Sequence, residues 1–267
     1  MIVKEIEVNS IITPSKLPDA DFVINPYTGC LHACRYCYAE FMKRFAGTDE
    51  DWGKFVYVKS KWKSPLNIKK LANRKVLLSS VTDPYQQVEH RYKLTRKILE
   101  QFAGSDCKLE ILTKSDLVLR DLDVIKKIPE ITVGMSINAT HDLLRKVMEP
   151  KAKPVQKRMD ALKTLKSEGI RTYLFVSPIF PALSNVQALI QAMRPYVDYF
   201  LFENLNLRGA YKKRVLELIG RHFPEYGSLY QKIYTTAYGQ AYWKNFEQTL
   251  RDLEKEGRQE FRIYFHH

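Results

Sequence analysis

At 267 residues, the chain is near the upper size for a single hydrophobic core; 45% hydrophobic and 27% charged residues exclude collagen, coiled coil and wholesale disorder. No uncharged apolar run reaches the roughly 20 residues that span a bilayer, and the charged start, Met1 to Glu7, is unlike a secretory signal, so a cytoplasmic protein with no membrane partner is expected. Lys plus Arg (43) exceed Asp plus Glu (30) by 13, a surplus that favours phosphate-bearing partners, whether nucleic acid or a small anion.

In chain order, residues 1–20 read as an N-terminal extension and Phe22 to Ile24 as a short strand. A loop with Cys30, Cys34 and Cys37 follows. Lys54 to Lys75 holds eight basic residues and no acid, interleaved with Phe55, Tyr57 and Trp62. That composition suits either a solvated face or a surface for phosphates and bases. Lys75 to Val81 reads as a buried strand. Asp83 can then cap, and Pro84 open, a helix running to about Phe102. Next come a strand from Cys107 to Lys114, a helix from Asp121 to Ile128 and a strand from Glu130 to Asn138. A helix from Pro154 to Glu168 stops at Gly169. Ile170 to Val176 is a strand, Asn185 to Met193 a helix and Val197 to Glu203 a strand. From about residue 209 the chain reads as helices, notably Ala237 to Lys255, with a short last strand at Phe261 to Phe265. His266 and His267 are given no role.

Strands alternating with helices predict an α/β fold with parallel strands and right-handed crossovers, open or curled into a barrel, in one domain over residues 1–267. In barrels of this kind the chemistry sits at the carboxyl ends of the strands. Those ends carry Ser79, Ser80 and Asp83; Thr113, Lys114 and Ser115; Ser136 and Asn138; Ser177; and Glu203 with Asn204.

The cysteines carry the chemistry. Cys30, Cys34 and Cys37 have C-x3-C-x2-C spacing, and Cys107 is the only other cysteine, so a metal fits better than a disulfide framework. Structural zinc takes four protein ligands, which His32 would have to complete. A thioredoxin-like pair at Cys34 and Cys37 leaves Cys30 unexplained. A 4Fe-4S cluster on three thiolates keeps one iron free of protein, and that iron can chelate S-adenosylmethionine for reductive cleavage to a 5′-deoxyadenosyl radical.

The segments Asn25-Pro26-Tyr27-Thr28-Gly29-Cys30, Cys34-Arg35-Tyr36-Cys37-Tyr38-Ala39, Thr82-Asp83-Pro84-Tyr85-Gln86, Leu112-Thr113-Lys114-Ser115, Glu149-Pro150 and Glu203-Asn204-Leu205-Asn206 resemble the radical SAM superfamily, in its spore photoproduct lyase-like branch. The resemblance extends over roughly residues 20 to 235 and implies a partial (β/α)6 TIM-like barrel with a C-terminal helical extension from about residue 209. It implies a 4Fe-4S cluster on Cys30, Cys34 and Cys37 and S-adenosylmethionine as cofactor. Lys114 would hold the carboxylate, Ser136 and Asn138 the ribose, and Tyr38 would approach the adenine. Tyr36, Ser80, Asp83 and Glu203 are further candidate contacts, Asp83 having a capping role as its alternative. A flavodoxin- or ferredoxin-type one-electron reductant is implied, with nucleic acid as the favoured substrate. One departure bears on that substrate. Spore photoproduct lyase has a further cysteine at the end of its second strand as hydrogen-atom donor, where this chain has Ser79 and Ser80, and an alcohol O–H is too strong to replace a thiol. Authentic photoproduct repair is therefore not expected. Cys107 reads as a small core residue and Tyr85 as packing, with a radical relay as its alternative. The competing class is a non-catalytic, zinc-stabilised nucleic-acid-binding module.

Overall fold

A computed structural model describes residues 1–266. Its strands are β1 (Ile2–Val8), β2 (Ile12–Pro14), β3 (Phe22–Ile24), β4 (Tyr27–Thr28), β5 (Phe55–Trp62), β6 (Lys75–Leu78), β7 (Lys108–Thr113), β8 (Ile131–Ser136), β9 (Arg171–Ile179), β10 (Tyr199–Asn204) and β11 (Phe261–Ile263). The main sheet has the order β11-β10-β9-β8-β7-β6-β3-β2. Every neighbouring pair in it is parallel except β2 with β3. The six expected parallel strands are present, and β11 extends them as a seventh. Residues 1–20 are more than an appendage: β2 edges the main sheet, while β1 pairs in parallel with β5 in a second, three-stranded sheet.

The helices are α1 (Lys43–Ala46), α2 (Glu89–Tyr92), α3 (Leu94–Phe102), α4 (Leu122–Ile125), α5 (Asp142–Met148), α6 (Val155–Ser167), α7 (Val186–Met193), α8 (Gly209–His222), α9 (Gly227–Thr235) and α10 (Tyr238–Gly257). Helical spacing places Leu94, Ile98, Leu99 and Phe102 on one face of α3, and Val155, Met159, Leu162 and Leu165 on one face of α6. Both faces join Val76, Leu78, Leu109, Ile111 and Val133 of the sheet in one core, each such side chain contributing about 1.5–3 kcal/mol on burial. Asn185 caps α7 by accepting from the Ala188 N–H at 3.1 Å.

Two expectations are corrected. The helix from Pro84 to Phe102 is a turn followed by α2 and α3, broken at Lys93 (φ 49°). Distant partners decide this: Asp83 bonds across to β7, and buried Glu89 accepts from Tyr27, the Thr95 N–H and Arg120. The helix from Asp121 begins instead as a 3-10 turn over Asp116–Asp121 and continues as α4. Within the basic stretch, Phe55 is buried and Tyr57 and Trp62 are half-buried, packed into apolar clusters. Lys61, Lys63, Lys69 and Lys70 remain exposed. Among the described residues no helix is long and apolar enough to cross a membrane.

Because side chains alternate along a strand, one face of the sheet is built in layers. Glu110, Tyr173 and Tyr199 lie toward its amino end, with the Tyr173 hydroxyl donating to Glu110 at 2.5 Å and the two tyrosine rings stacked at 4.9 Å. Leu112, Phe175 and Leu201, half-buried, come next along the same strands. Lys114, Ser136, Ser177 and Glu203 follow at the carboxyl ends, where the cysteine loop packs.

Candidate active site

The cysteine loop is held by contacts that only small residues allow. Gly29 has φ +90°, and a Cβ there would lie 2.4 Å from the Phe55 carbonyl oxygen. A Cβ on Gly53 would lie 2.3 Å from that of Ala33. The segment leading into β5 thus clamps the loop from one side. On the other, Gln86 accepts from the Leu31 N–H at 2.9 Å and donates to the Gly29 carbonyl at 3.2 Å, and Thr82 donates to the same carbonyl at 2.6 Å. The Arg35 N–H donates to the Met148 carbonyl at 2.8 Å at the end of α5. Arg214 of α8 donates to the Arg35 carbonyl at 3.0 Å and to Glu40 at 2.6 Å.

Cys30, Cys34 and Cys37 are free thiols, the first two buried and the third half-buried. Burial raises the pKa of all three. Asp83 and the neighbouring thiols add to the effect at Cys30, and Glu149 adds to it at Cys34. Thiolates here need a bound cation to be stable.

Opposite the loop, the Lys114 ammonium donates to Ser136 Oγ at 2.7 Å, lies 3.9 Å from Glu149 Oε1 and stands 6.0 Å from the centre of the Tyr36 ring. Ser136 in turn donates to the Ser177 carbonyl at 3.1 Å. Glu149 is fully buried and paired with Arg158 at 2.6 Å. It also accepts from Tyr36 and, at 3.3 Å, from Asn138. Burial opposes its charge, but Arg158 and Lys114 hold its carboxyl below the usual carboxylate range. Lys114, Ser136, Asn138 and Tyr36 therefore form one polar group around Glu149. Asn138 Oδ1 stays buried there without a hydrogen-bond partner, an acceptor left for a ligand hydroxyl.

The other candidates lie around this group. Tyr38, exposed, donates to the Ser80 carbonyl, and the Ser80 N–H donates to Asn25 Oδ1 at 3.0 Å. Glu203 accepts from Ser177 at 2.6 Å and lies 2.9 Å from His266 Nε2. His266, given no role from the sequence, therefore engages a candidate residue, and its backbone N–H also donates to Asn204 at 2.8 Å. His267 lies outside the described residues. Asp83 is spent on protein groups: Thr113 at 2.7 Å, the Lys114 N–H at 2.8 Å, the Tyr85 N–H at 2.8 Å and His32 at 3.1 Å. Its burial would raise its pKa, yet His32 and these donors hold it down to about 2. In place of capping a helix it ties β7 to the cysteine loop. The sequence reading missed Glu149 and Arg158 as site residues, although Glu149 stood in one of the resembling segments.

The donor set suits an iron–sulfur cluster better than zinc. His32, which a zinc site would need as its fourth ligand, faces Asp83 instead, at 3.1 Å, whereas a 4Fe-4S cluster needs only thiolates. Three thiols in one loop, facing an ammonium and the unpartnered Asn138 Oδ1, fit such a cluster with an amino-acid-bearing ligand.

The family model of the Radical SAM superfamily matches residues 24–185. An uncharacterised protein of Methanocaldococcus jannaschii is 42% identical over 222 residues, 83% of each chain. One of Mycobacterium tuberculosis is 29% identical over 239 residues, 82% of this chain and 70% of that one. Among solved structures, spore photoproduct lyase complexed with dinucleoside spore photoproduct superposes with a TM-score of 0.66 at 18% identity, over 96% of this chain and 79% of that one. Taken with the cysteine loop and the parallel sheet beneath it, these matches establish that the chain belongs to the radical SAM superfamily.

Proposed function

We propose that this chain is a radical enzyme that removes a hydrogen atom from a nucleic-acid substrate held over the carboxyl ends of β6 to β10. Cys30, Cys34 and Cys37 would hold a 4Fe-4S cluster, and Lys114, Ser136, Asn138, Tyr36 and Tyr38 would hold S-adenosylmethionine. When bound, the pair supplies a 5′-deoxyadenosyl radical after one electron arrives from a flavodoxin- or ferredoxin-type donor. The observation that carries the proposal is the single ammonium of Lys114, facing the loop and positioned by Ser136 and Glu149. It offers a point charge for a carboxylate. Ser136 and Asn138 offer hydroxyl and amide groups to a ribose. Tyr36, Glu149 and Arg158 keep Lys114 in place. Leu112, Phe175 and Leu201 add half-buried apolar surface on the same face of the sheet, toward its amino end. Photoproduct repair is not part of the proposal: the end of β6 carries Ser79 and Ser80, and Cys107 lies buried just before β7, bonded to the Arg74 carbonyl at 3.4 Å, away from the site.

The test is anaerobic reconstitution with iron and sulfide. About four irons and four sulfides per chain are expected, and dithionite with S-adenosylmethionine should then release 5′-deoxyadenosine. Cluster loading without cleavage, or one zinc with no iron or sulfide, overturns the proposal.

A further inference from the structure

We infer that Phe41, Arg44 and Phe45 form a base-stacking platform beside the cysteine loop, which gives the chain a preference for an unpaired nucleic-acid strand; the inference deepens the nucleic-acid reading above and rests on it. The three residues stand on the segment that follows Cys37, a 3-10 turn over Tyr38–Met42 running into α1. Ala39, Met42 and Ala46 of this segment pack inward against Trp52 and Phe55. Phe41 and Phe45 do not share that burial: they are 43% and 66% exposed. Their rings meet edge to face at 6.2 Å, and the Arg44 guanidinium lies over both, 5.5 Å from the centre of Phe41 and 4.8 Å from that of Phe45. A single apolar side chain on a surface needs no ligand to explain it, but two exposed rings joined by a cation set aromatic and guanidinium surface side by side in solvent.

Charge and position select the occupant. Lys43 and Arg44 are the basic residues of the segment, and its acid, Glu40, is held by Arg214 at 2.6 Å. Asp51 is likewise paired with Lys54 at 2.7 Å, while Asp49 and Glu50 follow beyond the turn at Gly47. A polynucleotide satisfies both kinds of group at once: its bases stack on aromatic rings and guanidinium planes, and its phosphates take the charges of Lys43 and Arg44. The segment begins at the mouth of the site, where Tyr38 donates to the Ser80 carbonyl just past β6. From Tyr38 to Phe45 it rises about 12 Å, room for three or four stacked nucleotides at about 3.4 Å each. Nucleotides flanking the reacting one can lie on the platform only when unpaired, because a duplex keeps its base faces stacked within the helix.

The experiment measures binding of a short fluorescent single strand to the reconstituted chain by anisotropy, over a range of salt. Replacing both rings, Phe41→Ser with Phe45→Ser, should weaken affinity about tenfold or more and leave the slope of log affinity against log salt unchanged, since no charge is removed. Phe41→Tyr with Phe45→Tyr, which keeps the rings, should bind as the wild type does. A strand carrying an adenine analogue that stacking quenches should be quenched by the wild type and the tyrosine variant and not by the serine variant. A duplex of the same sequence should bind more weakly than the single strand. An unchanged affinity in the serine variant, no quenching by the wild type, or a duplex bound as tightly as the single strand overturns the inference alone. So does a serine variant that loses self-association or affinity for a flavodoxin while its oligonucleotide binding stays intact, because a second copy or a protein partner then occupies the face. If the serine variant does not fold, quenching and strand preference in the wild type decide. A wild type that binds neither strand nor duplex overturns the nucleic-acid reading and this inference with it.

Discussion

Lys114 is the residue on which the proposed binding of S-adenosylmethionine turns. Replacing it with methionine keeps most of the side-chain volume and removes the charge, so the concentration of S-adenosylmethionine giving half-saturation should rise about tenfold or more. Iron content should stay that of the wild type. Equilibrium dialysis against the reconstituted protein measures this, and an unchanged affinity would contradict the role given to Lys114. Asp83 makes a different prediction. Its pKa of about 2 lies below the ordinary value of about 3.9. A depressed carboxyl stabilises the fold above about pH 4, and that stability is lost as pH falls through about 2. Two units amount to about 2–3 kcal/mol. Urea unfolding between pH 6 and pH 2 should therefore show a steeper loss for the wild type than for Asp83→Asn, whose curve lies lower at pH 6. Parallel curves would show that Asp83 is not the group responsible. The two residues also differ in how readable they were. Lys114 stands at a strand end inside a recognisable segment, so its place followed from order along the chain. Asp83 before Pro84 has the local chemistry of a helix cap, and nothing local reveals that Thr113 and the Lys114 N–H, about 30 residues on, would take its oxygens.

Elements governed by short-range periodicity were legible, and those governed by distant pairing were not. The apolar spacing of α6 and the Gly169 stop (φ +78°) follow from local rules alone. The register of β1 on β5, Val3 opposite Val56 and Lys4 opposite Tyr57, joins segments some 50 residues apart. Nor did local signals show β5 inside the basic run, where lysines interrupt the apolar pattern. The pairing of β8 with β9 shows how tightly such registers are set. Gly134 lies opposite Tyr173, and a Cβ on Gly134 would come within 2.1 Å of the tyrosine ring. Gly134→Ala should cost about 1–3 kcal/mol through overpacking. In a Tyr173→Leu background, where the ring is gone, the same change should cost much less. Thermal or urea unfolding of the four proteins gives the coupling, and additive effects would mean that the ring does not occupy that space.

The charge of the whole molecule decides what size of phosphate-bearing partner it suits. Phe55, at the start of β5, abuts the cysteine loop at Gly29, whereas Lys61 and Lys63 lie at the far end of that strand. Seven steps of about 3.3 Å put Trp62 roughly 23 Å from Phe55. Lys69 and Lys70 stand on the turn that precedes β6, before the amino end of the main sheet. A small phosphorylated substrate seated beside Lys114 cannot reach these exposed lysines, but a polynucleotide can. Replacing Lys61, Lys63, Lys69 and Lys70 together with alanine should leave iron loading and cleavage of S-adenosylmethionine intact, since none of the four belongs to that machinery. Affinity for a fluorescent single-stranded oligonucleotide, measured by anisotropy from 50 to 300 mM salt, should weaken. The slope of log affinity against log salt should fall by about 0.7 for each phosphate that a lysine no longer neutralises. A slope that does not change removes these lysines from the interface, and wild-type binding indifferent to salt leaves the surplus of 13 positive charges without a polynucleotide partner and points the site toward a small anion.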